Sequence, residues 1–128
     1  MPIVTTIEGR IAQVAIDRPE KRNTLSSELC KDLAREFLEL NDDTRVRSIV
    51  LCGHNNVFCA GLDIEEQLAE NTPIFNEFQK VIDALDALSK PVVAAVSGPA
   101  VSQGAAMLYH CDLVFAGEYA LFSMPGLA

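Results

Sequence analysis

Two short apolar runs, Ser48–Cys52 and Val92–Val96, each end on a turn of glycine, serine or asparagine and then pass into helix-like sequence. No other feature constrains the fold as strongly. An apolar run of this length, bounded by turn residues, reads as a buried strand. Strands that alternate with helices pair in parallel and are joined by right-handed helical crossovers. The order along the chain is hairpin, helix, strand, helix, strand, helix, strand, which predicts an α/β fold.

The remaining elements follow from periodicity and punctuation. Ile3–Ile7 and Ile11–Ile16, separated by Glu8-Gly9, predict the hairpin. Residues 17–23 form a polar loop. Ser26 or Ser27 caps a helix with Glu28 in its first turn, and Leu29, Leu33, Phe37 and Leu40 form its apolar face as far as Asn41. A short helix begins near Ile64. Phe75, Phe78, Ile82, Leu85 and Leu88 mark another, which must stop before Pro91 because the residue preceding proline disfavours helical geometry. Gly104–His110 suits a tightly packed helix, and Leu113–Ala116 the next strand. The unit strand, glycine turn, helix occurs around residues 48–68 and again around 92–110. No linker or low-complexity segment divides residues 1–128, so they read as one domain. The abrupt apolar end at Met124-Pro125-Gly126-Leu127-Ala128 suggests a domain truncated at its C-terminus.

Bulk properties bound the function. The chain has 128 residues, 49% of them hydrophobic, enough for a real core. A net charge of −8 argues against nucleic acid, whose phosphates need a basic surface. Arg18, Lys21 and Arg22 form the one compact basic cluster. It reads equally as a solvated turn and as a phosphate contact. No apolar stretch is long enough to span a bilayer, and Met1–Thr6 lacks the charged and apolar regions of a secretory signal. Cys30, Cys52, Cys59 and Cys111 contain no CxxC pair and read as reduced, buried thiols. A cytoplasmic location follows, with no metal and no membrane contact.

The chemistry centres on the two loops Asn56–Ile64 and Ser97–Ala106. A turn that leads into a helix leaves backbone N–H groups unpaired and aimed outwards. Two such loops together can stabilise one developing oxyanion.

The motifs carry a resemblance. Ile16-Asp17-Arg18-Pro19-Glu20-Lys21-Arg22-Asn23-Thr24-Leu25 resembles N-R-P-E-K-x-N-A-L of the enoyl-CoA hydratase/isomerase (crotonase) superfamily. Ser48–Gly53 followed by Phe58-Cys59-Ala60-Gly61-Leu62-Asp63-Ile64 resembles V-L-T-G … F-C-A-G-x-D-L. Lys90–Gly98 resembles K-P-V-I-A-A-V-N-G, and Cys111–Ala116 resembles C-D-x-x-x-A. The blocks stand in order at the expected spacing over essentially the whole chain. The resemblance implies a crotonase-like spiral of repeated ββα units. It also implies an acyl-CoA thioester ligand, with coenzyme A as part of the substrate and no separate cofactor, and homo-oligomers, trimers or hexamers. Members are longer than this chain, which corresponds to their N-terminal part. Carried over by position, the oxyanion donors are the backbone N–H groups of Leu62 and Gln103. Lys21, Arg22, Thr24 and Leu25 line the pantetheine or phosphate path. Ala60 lies near the adenine, and Gly61, Asp63, Ile64 and Gly104 complete the binding loops.

The sequence departs from the family at three points. The G-G-G of the second loop is Ser102-Gln103-Gly104, so Gln103 either narrows the pocket or adds a polar contact. The hydratase glutamate two residues further on is Ala106, and the glutamate of the P-E pair is Gly126. General acid–base catalysis contributes roughly 10²–10⁴-fold, so loss of both carboxylates argues against standard hydration.

Other polar residues have bland readings. Asp63 is a helix-start carboxylate near N–H groups, Asp112 is structural, and His54 is a solvated loop residue. His110 lies four residues after Ala106, on the same helix face, and is weighed as an approach to the vacated position. Tyr109 is either a donor to an acyl group or a core ring with its hydroxyl at an edge. Cys59 is a buried thiol, and Glu65 and Glu66 are surface glutamates before they are replacement bases. Two functions follow. One is an acyl-CoA enzyme with an altered reaction: decarboxylation, isomerisation or thioester cleavage. The other is a non-catalytic acyl-CoA-binding or oligomeric scaffold protein.

Overall fold

A computed structural model describes residues 2–70 and 74–124. Strands β1 (Ile3–Glu8) and β2 (Ile11–Ile16) form the expected antiparallel hairpin. Strands β3 (Ser48–Gly53), β4 (Val92–Val96) and β6 (Leu113–Ala116) continue the sheet in parallel, in the order β1-β2-β3-β4-β6. Each parallel step needs a crossover. Helix α1 (Ser27–Asp42) spans β2 to β3, and α2 (Ile64–Glu70) with α3 (Ile74–Ala87) spans β3 to β4. The fold is the mixed α/β architecture expected.

The helices form because their apolar residues share a face. Ser26 caps α1 by accepting a bond from Leu29 N at 3.0 Å, and Leu29, Leu33, Phe37 and Leu40 are all buried. On α3 the buried set is Ile74, Phe78, Val81, Ile82, Ala84 and Leu85. Phe75, expected in the core, is 52% exposed, because the buried stripe runs from Ile74 instead. The two helices pack together over one face of the sheet, against Val14, Ile16, Ile49, Leu51, Val92 and Ala94. Strands β3 and β4, read as wholly buried, alternate instead: Val50, Cys52, Val93 and Ala95 are half-buried on the opposite face.

Two strands escape the sequence reading. Pro99–Val101 (β5), inside the second loop, pairs in parallel with Leu121–Ser123 (β7). A three-residue strand beginning on proline leaves no periodicity to detect. The helix expected over Gly104–His110 is a single α-turn, α4 (Gln103–Ala106), followed by a 3₁₀ turn over Met107–His110. Strand β6 is one edge of the sheet, opposite β1, and all four of its residues are exposed. Among the described residues no helix is long and apolar enough to cross a membrane.

Candidate functional site

The two glycine loops lie against one another because β3 and β4 are neighbours and both loops leave the same ends of those strands. Backbone bonds join them. Phe58 N and Cys59 N donate to Pro99 O at 3.0 and 3.2 Å, and Val101 N donates to Cys59 O at 2.9 Å. Gly104 closes the seam. A Cβ there would stand 2.1 Å from Cys59 O, so only glycine fits.

A third segment, residues 21–25, completes the site. Arg22 and Asn23 both adopt left-handed backbone, φ 54° and 58°. Asn23 is wholly buried, and its side chain is satisfied on every side. Its Oδ1 accepts from Arg18 N at 2.7 Å, and its Nδ2 donates to His54 O and Val57 O at 3.0 and 2.8 Å. Asparagine tolerates the left-handed region better than most residues. The segment then runs parallel to the first loop. Leu25 N donates to Gly61 O and Asp63 N to Leu25 O, both at 2.8 Å. A parallel bridge of this form turns the N–H of the middle residue, Leu62, away from Leu25. Among the described residues, the N–H groups of Leu62 and Gln103 donate no hydrogen bond.

Asp63 is the helix-start carboxylate the sequence suggests. Its Oδ1 accepts from Glu66 N at 3.1 Å, at the first turn of α2. Its Oδ2 accepts from Arg18 Nη2 at 3.1 Å, and the aspartate side chain is only 8% exposed. Arg18 Nη1 also donates to Thr24 O at 3.0 Å, which locks residues 21–25 to the loop. Arg18 is thus withdrawn from the basic cluster. Glu66 accepts from Ser27 N at 3.1 Å and anchors the start of α1. Glu65 is exposed, 3.7 Å from Lys21 Nζ. Lys21, Arg22, Thr24, Leu62, Asp63 and Ile64 line one open cleft of about 380 Å³ together with Glu20 and Glu65. Leu25 lies buried behind it, and Ala60 N donates to Arg22 O at 3.2 Å.

Ser102 and Gln103, at the start of α4, lie against Gly61 of the first loop. Ser102, the residue before α4, has φ 56° and ψ −117°, a conformation favoured by glycine. Its N–H donates to Ser123 O at 2.7 Å, tying the turn to β7. Its hydroxyl donates to Gln103 Oε1 at 2.8 Å. A Cβ on Gly61 would lie 3.5 Å from that same Oε1, so the Gln103 carboxamide reaches the first loop. The strain at Ser102 was legible only as the departure of Ser102-Gln103-Gly104 from a glycine triplet.

The remaining titratable groups are committed elsewhere. His110 does not approach Ala106. The 3₁₀ turn carries it off the α-helical face, and its Nδ1 lies 2.7 Å from Asp86 Oδ1 on α3. Asp112 Oδ2 accepts from Val92 N at 2.7 Å, a structural role. His54 Nδ1 lies 3.6 Å from Asp17 Oδ2 in the exposed loop. Tyr109 is 78% exposed, which excludes the core-ring reading for this chain. It borders an apolar cleft of about 370 Å³ with Ala105, Leu108, Val114, Phe122 and Met124. Burial pushes the Cys59 thiol up to about 12, which removes it as a thiolate nucleophile near neutrality. Among the described residues no group of His, Cys, Asp and Glu has the arrangement of a metal site. Gly126 lies outside the described residues.

Comparison with known proteins shows the family and the fold. The family model for enoyl-CoA hydratase/isomerase matches residues 6–128. The chain is similar to the short-chain-enoyl-CoA hydratase of Clostridium acetobutylicum, 34% identical over 96% of this chain and 49% of that protein. It is similar to enoyl-CoA hydratase AKT6-1 of Alternaria alternata, 35% identical over 88% of this chain and 38% of that protein. Among solved structures, OdaA of Pseudomonas aeruginosa superposes with a TM-score of 0.89 at 35% identity, covering 97% of this chain and 51% of that chain. An enoyl-CoA hydratase/isomerase from Pseudoalteromonas atlantica gives 0.88 at 33%, covering 98% and 50%. The chain therefore spans half or less of the length of the curated relatives named here. On a match that covers nearly all of its residues, the chain belongs to the enoyl-CoA hydratase/isomerase family.

Proposed function

We propose that this protein binds acyl-CoA thioesters and stabilises a thioester enolate with the backbone N–H groups of Leu62 and Gln103. The observation that carries the reading is that these two N–H groups, on loops stitched together by backbone bonds, have no partner among the described residues. Deprotonation at the α-carbon, or attack at the β-carbon, puts negative charge on the thioester oxygen. Two preorganised donors lower that barrier, and loss of one typically costs about 2.7–4 kcal/mol. The cleft bordered by Lys21, Arg22 and Thr24 supports binding of the coenzyme A portion.

The reaction is not standard hydration. Ala106 cannot move a proton, and Asp63, Glu66 and His110 are held by Arg18, Ser27 and Asp86. An acid or base then comes from the rest of the longer protein or from a neighbouring subunit of a trimer or hexamer. The commitment of Asp63, Glu66 and His110 favours a second reading, a non-catalytic acyl-CoA-binding or scaffold protein. A mass-spectrometric time course of the full-length protein with crotonyl-CoA and a panel of acyl-CoA esters separates them. The primary reading predicts conversion of a thioester other than by hydration. Efficient formation of 3-hydroxybutyryl-CoA overturns it. Binding with an unchanged panel selects the scaffold.

A further inference from the structure

We infer that Ser102 and Gln103 together form a specificity element that selects acyl groups carrying a second acceptor oxygen, a keto or carboxylate oxygen on C3. This rests on the acyl-CoA reading above and narrows its substrate class.

The inference starts from a residue that is out of place. Ser102 holds φ 56°, ψ −117°, where a non-glycine residue is strained by about 1–3 kcal/mol. Glycine would relieve that strain and keep the backbone bond to Ser123 O. What serine adds is one side-chain bond, the 2.8 Å donation from its hydroxyl to Gln103 Oε1. That bond orients the carboxamide. With its oxygen engaged, the group offers its NH₂ as donor. Among the described residues Gln103 Nε2 donates to nothing, and it is not among the buried polar atoms left without a partner. Among the described residues it is therefore an accessible donor, oriented and unspent. The carboxamide also lies between the loops, since its oxygen stands 3.5 Å from the place of a Gly61 Cβ.

The ligand chemistry follows from what one residue then offers. Gln103 presents a backbone N–H for the thioester oxygen and, a few bonds away, a side-chain N–H for a second oxygen. A 3-oxoacyl or malonyl-type thioester places two acceptors at such a separation. A saturated or simple enoyl chain supplies only one, and leaves the carboxamide facing hydrocarbon. A site built to hydrogen-bond a group discriminates against the analogue that lacks it.

Calorimetric titration of the full-length protein with acetoacetyl-CoA, malonyl-CoA and butyryl-CoA tests this. The wild type is expected to bind at least one of the two C3-oxygenated esters about 10-fold more tightly than butyryl-CoA, the worth of one well-made hydrogen bond. Preference for acetoacetyl-CoA identifies a keto oxygen, and preference for malonyl-CoA a carboxylate. Gln103→Leu, which keeps the backbone N–H and the side-chain bulk, should bring the ratio near one. Ser102→Gly should lower it several-fold while the protein remains folded. Equal wild-type affinities, or a preference that survives in Gln103→Leu, overturn the inference and leave the acyl-CoA reading standing. If none of the three esters binds, the acyl-CoA reading fails and this inference with it.

Discussion

Ser102 gives a stability prediction whose sign runs against the ordinary rule. Replacing glycine by alanine at an unstrained position stabilises a protein by about 0.4–1 kcal/mol, because glycine has more freedom to lose on folding. At φ 56°, ψ −117° the order should invert. A Cβ in this region carries about 1–3 kcal/mol of strain. Taking about 2 kcal/mol of relief against about 0.7 kcal/mol of unfolded-state entropy leaves glycine better than alanine by roughly 1 kcal/mol. The hydroxyl separates the two variants further from the wild type. Both lose the bond to Gln103 Oε1, worth about 0.5–1.5 kcal/mol, and only glycine regains it through relief of strain. Ser102→Gly should therefore equal or exceed the wild type, and Ser102→Ala should fall below it. Urea unfolding reads the difference directly, and in a thermal melt about 1 kcal/mol corresponds to about 4 °C for a domain of this size. An alanine variant as stable as the glycine variant would refute the strain assigned to this turn.

Other predictions follow from the same packing. Gly104→Ala should destabilise the protein by about 3 kcal/mol, the upper range for overpacking, because its Cβ meets the Cys59 carbonyl rather than a side chain that can move; an unchanged melting temperature would count against the seam. Arg18→Ala leaves the Asp63 carboxylate buried without its partner and should cost roughly 3 kcal/mol by urea titration, with less than about 0.5 kcal/mol contradicting it. Burial raises Cys30 and Cys59 from 9.0 to about 12. Thiols kept neutral in the fold contribute fully below pH 9, and their contribution is lost as pH rises from 9 towards 12. At pH 10 the loss is on the order of 1 kcal/mol for each thiol. A double Cys30→Ala, Cys59→Ala variant should lose that part of the alkaline slope. The apolar edge of β6, with Phe115 64% exposed, should make the 128-residue chain self-associate in light scattering. A clean monomer at high concentration would contradict that.

Most of the fold was legible because its long elements obey one period each. Leu29, Leu33, Phe37 and Leu40 announced α1, and the Val92–Val96 run with its flanking proline announced β4. What escaped depends on contacts distant in sequence. Strand β5 exists only because Leu121–Ser123 lies alongside it. The exposure of Phe75 reflects which stripe of α3 meets α1, and helical spacing alone allowed either. The site shows the same division. The loops were legible as turns leading into helices, and the cleft residues only through the family resemblance; the structure brings Lys21, Arg22, Thr24, Leu62, Asp63 and Ile64 to one cleft. The Arg18–Asp63 pair was not legible, since it joins residues 45 apart in sequence. The four-residue spacing puts His110 on the face of Ala106 only in a continuous α-helix. The change to 3₁₀ winding at Met107 moved it to Asp86.

The most direct test is a crystal structure of the full-length protein with a slowly reacting acyl-CoA ester bound. The account predicts the thioester oxygen within about 2.7–3.1 Å of both Leu62 N and Gln103 N. A thioester oxygen held by other groups, with these two N–H groups turned away from it, would contradict the account.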